Sequence, residues 1–166
     1  MLNHYQVSQM SVKVKDRIAQ MYEHASHYVR IASRLGPEGQ KKLKSYAASC
    51  STSIVAEGLL ATLSFEASKA KEKAIREVIK ARNSEAISTL EEIKEEELAH
   101  ALVYDCVASW ILPLVGVKEE LYQEKPLEIL LRLAERYNDL ALKSRTLHEA
   151  CLLLEALKRL AEGEFG

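Results

Sequence analysis

Helix breakers are scarce in this chain. Three prolines and six glycines among 166 residues leave few forced stops, and the prolines fall at Pro37, Pro113 and Pro126, beside candidate junctions. Alternating β-branched and aromatic runs are absent, which excludes a sheet-based fold. The three cysteines, Cys50, Cys106 and Cys151, are odd in number, far apart and set in apolar runs without CxxC or Cys/His spacing. A disulfide scaffold and a zinc module are thereby excluded, and reduced core thiols of a cytoplasmic protein are expected. The first fifteen residues show no hydrophobic signal region, in line with that compartment. No phosphate-cradling glycine loop or nucleophile elbow occurs. The most membrane-like stretch, Leu98 to Val117, is interrupted by His100, Asp105 and Pro113. Cys106 to Val117 is short of the ~20 apolar residues a span needs, so a buried core helix is predicted there.

What remains is rich in Leu, Ala, Glu and Lys, the composition of an all-α protein. One domain covering residues 1–166 is expected, a bundle of five or six helices long enough to bury about two-thirds of its unfolded surface. Ser45 to Lys69 has no proline and, before its closing lysine, only Glu57 and Glu66 as charges; it reads as one helix at the centre of the bundle, with Leu59, Leu60, Leu63 and Phe65 filling the core. From about Val12 to Leu35, Ile18, Met21, Tyr22, Ala25, Tyr28, Val29 and Ala32 recur at three- and four-residue intervals and define a core stripe. Gly36-Pro37-Glu38-Gly39 ends that helix, and Lys41, Lys42 and Lys44 fall in the first turn of the next, against the helix dipole. Ala70 to Arg82 reads as a plain exposed amphipathic helix with i,i+4 charge pairs. Ser88 and Glu91 match a capping box for a helix that reaches Leu112. A short helix is predicted over Leu127 to Tyr137, and a long final one is capped by Asn138 or Asp139, with Leu140, Leu147, Cys151, Leu154, Leu157 and Ala161 inward.

Charge is polarised along the chain. Residues 1–83 carry 14 Lys and Arg against 7 Asp and Glu; residues 84–166 carry 9 against 17. On the side of the first helix opposite its core stripe, helical spacing aligns Lys13, Arg17, Gln20, His24, His27 and Arg34, with Arg30 alongside. Such a ridge suits RNA: Lys and Arg neutralise phosphates, and Gln and His bond sugar or phosphate oxygens. The predicted RNA-binding set is therefore Lys13, Arg17, Gln20, His24, His27, Arg34, Lys41, Lys42 and Lys44. Two catalytic readings compete with it. Glu97 and His100 have the Glu-x-x-His spacing of di-iron bundles, but a second pair and two further glutamates are missing, so no metal or cofactor is expected. Arg17 and His24 fit the loose R-x4-6-H pattern of HEPN-type helical ribonucleases, in which the pair activates a ribose hydroxyl and stabilises phosphate. A helical adaptor that binds only protein is the third alternative.

Two blocks carry a family resemblance. The run EGLLATLSFEASK, with Gly58-Leu59-Leu60, Leu63, Phe65 and Lys69, resembles the signature of the small subunit of the Cmr complex, the type III-B CRISPR RNA-guided effector. RTLHEACLLLEALKRLAEG, with Thr146, Glu149-Ala150 and Leu157-Lys158-Arg159, is similar to that family's closing helix. The resemblance implies a non-catalytic helical subunit that stacks in more than one copy beside other Cmr subunits and helps hold target RNA against the guide RNA.

Overall fold

The computed structural model describes residues 4–84 and 87–166, with side chains from residue 16 onward. Among these residues there are eight α-helices, one 3₁₀ turn and no strand, more helices than the five or six expected. They are α1 His4–Ser33, α2 Pro37–Glu57, α3 Leu59–Ala70, α4 Glu72–Ser84, α5 Glu95–Val115, α6 Glu119–Glu124, α7 Glu128–Glu135 and α8 Leu140–Phe165, with the 3₁₀ turn at Ser88–Glu92.

The two helices beyond six come from one backbone break, at Gly58, and one short helix, α6. Ser45 to Lys69 is not one helix. Gly58, at φ 91° and ψ 167°, separates α2 from α3 in a conformation essentially reserved for glycine. Lys71, the only non-glycine residue with positive φ among those described, separates α3 from α4. α6 was not expected and covers Tyr122, which is fully buried.

The centre of the bundle is α5, not the Ser45–Lys69 stretch. α5 packs against each of the other seven α-helices, and His100 and Asp105 are buried with its apolar residues. Its acidic residues, Glu95, Glu96 and Glu97, sit in the first turn, where the helix dipole favours them. It is long and apolar enough to cross a membrane by composition, yet 78% of its most apolar window is buried in the bundle, which bears out the core-helix reading.

Several expectations fail by a fraction of a turn. Phe65, Ile18 and Leu140, read as core, are 51%, 48% and 75% exposed. In α8 the buried stripe instead begins at Leu142 and Thr146 and continues through Ala150, Leu153, Leu154 and Leu157. Ser88 caps no α-helix: it starts the 3₁₀ turn, and α5 begins at Glu95 without a side-chain cap. α2 starts at Pro37, so Lys41, Lys42 and Lys44 lie beyond its first turn, which holds Glu38. They therefore escape most of the dipole's opposition. Other boundaries hold. Pro37 opens α2 after Gly36, Gly116 closes α5 in the left-handed region, and the Asp139 carboxylate caps α8 by accepting from the Leu142 N–H at 3.1 Å.

Candidate nucleic-acid interface

The basic side of α1 divides into two flanks. Gln20, His27, Arg30 and Arg34 point to solvent, sharing that face with Asp16 and Glu23. His27, Arg30 and Arg34 meet Arg82 of α4 around a depression of about 50 Å³ floored by Ile31 and Ile87, and among the described residues no acidic one lines it. Arg82 is half-buried and tightly held. Its Nε donates to Asp105 Oδ2 at 2.7 Å, and its Nη2 donates to Asp105 Oδ1 at 3.3 Å and to Glu119 Oε1 at 3.2 Å. Burial works against its charge, but Asp105 and Glu119 help to outweigh that penalty and the pKa is raised. Arg82 thus rigidifies the depression, while His27, Arg30 and Arg34 are its exposed members.

Arg17 and His24 belong to the other flank, which faces α5 and α8. His24 does not stand on the solvent ridge: its Nε2 donates to the Cys106 carbonyl at 2.9 Å, and its ring lies 5.2 Å from that of Trp110. Burial lowers its pKa and favours the neutral imidazole. The Arg17 guanidinium lies 4.5 Å over the Trp110 ring, and its Nη2 pairs with Glu149 Oε2 at 3.1 Å. Trp110 Nε1 donates to the same carboxylate oxygen at 2.9 Å. The two residues of the ribonuclease pattern therefore tie α1 to α5 and α8, with the charge of Arg17 matched by Glu149.

The three lysines of α2 do not converge. At 100° per residue Lys42 and Lys44 point to opposite flanks of the helix. Lys42 approaches Glu95 at 3.9 Å, Lys44 donates to the Gly166 carbonyl at 3.2 Å, and Lys41 is exposed. Lys13 lies within α1, but its side chain is outside those described. Of the nine predicted contacts the structure thus brings His27 and Arg34 together, with Gln20 exposed farther along the same helix.

Glu97 and His100 also separate. Glu97 pairs with Lys71 at 2.7 Å, a hydrogen bond that lowers its pKa, while His100 Nδ1 meets Glu66 Oε2 at 2.5 Å and its ring stacks on Tyr46 at 4.0 Å. Among the described residues no three potential metal ligands come together.

Arg82 and Trp110 were missed as parts of these sites. Arg82 had a readable signal: it stands four residues after Val78 and seven after Ile75, on the buried stripe of α4. An arginine in that register calls for a buried carboxylate. Trp110 had none, because Arg17 and Glu149 reach it from distant parts of the chain.

The segments that carry the family resemblance occupy defined places in this fold. Gly58, Leu59, Leu60 and Thr146 line one groove, and Glu149 is the carboxylate shared by Arg17 and Trp110. A family model described as CRISPR-associated protein (Cas_Cmr5) matches residues 15–164. No curated protein and no solved structure matches the chain. Because that match spans most of the chain, the chain belongs to the Cas_Cmr5 family, the small subunits of type III-B CRISPR complexes, and associates with other Cmr subunits.

Proposed function

We propose that this subunit is a non-catalytic, cytoplasmic RNA-holding element of the Cmr complex, present in stacked copies, which steadies target RNA against the guide through the solvent flank of α1. The observation that supports this is the depression where His27, Arg30 and Arg34 converge with Arg82 of α4. Side chains rooted on one helix keep a fixed spacing, which suits a repeating phosphate backbone; Gln20 extends the surface and exposed Lys41 adds charge beyond it. Lys13, Lys42 and Lys44 are peripheral in this scheme, and Arg17 and His24 support the surface from behind. Sequence reading belongs to guide pairing. Burial raises the pKa of the Cys50 and Cys106 thiols and keeps them unreactive, which suits a reducing compartment.

The test is Arg30→Glu with Arg34→Glu, assayed for RNA capture by the assembled complex across a salt series. Loss of two phosphate contacts lowers the slope of log affinity against log salt by about 1.4 for single-stranded RNA. An unchanged slope and unchanged capture would remove these residues from the interface.

A further inference from the structure

We propose that the depression between α1 and α8 is a ribose site, where acceptor oxygens led by the Glu164 carboxylate take a hydrogen bond from a 2′-hydroxyl of the bound strand and favour RNA over DNA. The inference deepens the RNA-holding reading of α1 and rests on it. The depression measures about 260 Å³ and is lined by Ser26, Val29, Arg30, Ser33, Leu160 and Glu164. Successive helical residues are 100° apart, so Ser26, Val29 and Ser33 fall on the α8 side of α1 and His27, Ile31 and Arg34 on its α4 side, with Arg30 between them. Arg30 accordingly lines both this depression and the one it shares with His27, Arg34 and Arg82. Each phosphate inside a strand has a sugar on either side, so one held at Arg30 brings a ribose beside the α8 depression.

The polar lining calls for a donor. Ser26 Oγ already donates to the Glu23 carbonyl at 2.6 Å and Ser33 Oγ to the Arg30 carbonyl at 2.7 Å, so each hydroxyl has committed its one proton and offers only lone pairs. An ionised carboxylate such as Glu164 is likewise an acceptor only. Apart from Arg30, the lining side chains that carry polar atoms are therefore all acceptors among the described residues. A phosphodiester has no proton to give them and is repelled by Glu164. An internal RNA nucleotide carries one hydroxyl on its sugar, the 2′-hydroxyl, and DNA carries none there. A carboxylate accepting from that group is how dinucleotide-binding folds read a ribose. Base amino groups are engaged by guide pairing in this scheme. Buried Val29 and half-buried Leu160 supply an apolar floor for the C–H groups of the sugar. A lysine or arginine of a neighbouring protein also brings donors, but Arg30 at the same rim opposes a cation and favours a phosphodiester strand.

The experiment compares capture of a target RNA with capture of the same sequence carrying 2′-fluoro sugars, which keep an RNA-like shape but have no hydroxyl to donate. Complexes are assembled with the wild-type subunit, with Glu164→Ala or with Ser33→Ala, and each variant's melting temperature is measured alongside. Glu164 is exposed in the last turn of α8, so its truncation leaves the fold intact. Guide pairing is the same in all three complexes and cancels when their preferences for RNA over the fluoro strand are compared; so does the general gain in affinity from removing a negative charge. Glu164→Ala is expected to lower that preference about tenfold, as for one hydrogen bond to a charged group, and Ser33→Ala to lower it less. An unchanged preference in Glu164→Ala, with RNA capture still dependent on Arg30 and Arg34, would overturn the ribose site and leave the RNA-holding surface standing. RNA capture indifferent to Arg30→Glu with Arg34→Glu would remove both. Poorer incorporation of the Glu164→Ala subunit with the preference unchanged would assign the depression to a neighbouring protein and likewise overturn the proposal.

Discussion

Two apolar stretches of similar length, α5 and the Ser45–Lys69 run, meet opposite fates. The second has the fewer charges, yet it breaks at Gly58 and leaves Val55 and Phe65 at the surface. The first carries His100 and Asp105 and is buried almost throughout. The difference teaches that a central helix is made by neighbours able to satisfy it on every side, and not by the absence of charge. Asp105 accepts hydrogen bonds from Tyr28 of α1 at 2.8 Å, Tyr122 of α6 at 2.7 Å and Arg82 of α4 at 2.7 Å, so one carboxylate joins three helices to α5. Burial, reinforced by this carboxylate, raises the pKa of both tyrosines and keeps them neutral donors. Glu66 of α3 does the corresponding work at His100. Unpaired, either charge would oppose burial; paired, each fixes which helices meet α5 and in what register.

Breaking this contrast at its strongest point gives the largest effect. Asp105→Ala leaves Arg82 without its main buried partner and two tyrosine hydroxyls without an acceptor, and urea denaturation is expected to show a loss of about 3–5 kcal/mol. A loss under about 1 kcal/mol would mean that the carboxylate is not the organising group. Gly58→Ala comes next. Space is available for the methyl group but the backbone angle is not, so strain of about 1–3 kcal/mol is expected, with a matching fall in denaturation midpoint. An unchanged midpoint would show that the break can relax into continuous helix. Smallest is Val55→Ser, at a site 75% exposed, which is expected to change the stability of the isolated chain by no more than about 0.5 kcal/mol. A larger loss would show that other groups cover this face.

Much of the architecture was legible because it is written in local patterns. The stripe of Met21, Ala25, Tyr28, Val29 and Ala32 placed the inner face of α1 correctly, and Gly36-Pro37 and Asp139 marked the starts of α2 and α8. Errors arose where a local pattern had two readings. Leu140 and Leu142 both suit the start of α8, and burial selects Leu142. Gly58 within an apolar run reads as a small packing residue or as a break, and its positive φ makes it a break. The candidate RNA surface was half legible. Periodicity put His27, Arg30 and Arg34 on one face, but nothing local announced that Arg17 would be held by Glu149, or that Lys42 and Lys44 would turn to Glu95 and the Gly166 carbonyl.

By itself the sequence determined the all-helical class, the main junctions, the amphipathic face of α1 and the two blocks that mark the family. These depend on spacing within a few residues, where a 3.6-residue period and cap chemistry act directly. The tertiary structure alone decided which helix is central, where the apolar groove opens and which basic side chains reach solvent. Those outcomes rest on pairings such as Arg82 with Asp105, 23 residues apart, and His24 with the Cys106 carbonyl, 82 residues apart. A buried charge or donor is settled by whichever partner the whole fold brings to it, and no local spacing records that partner.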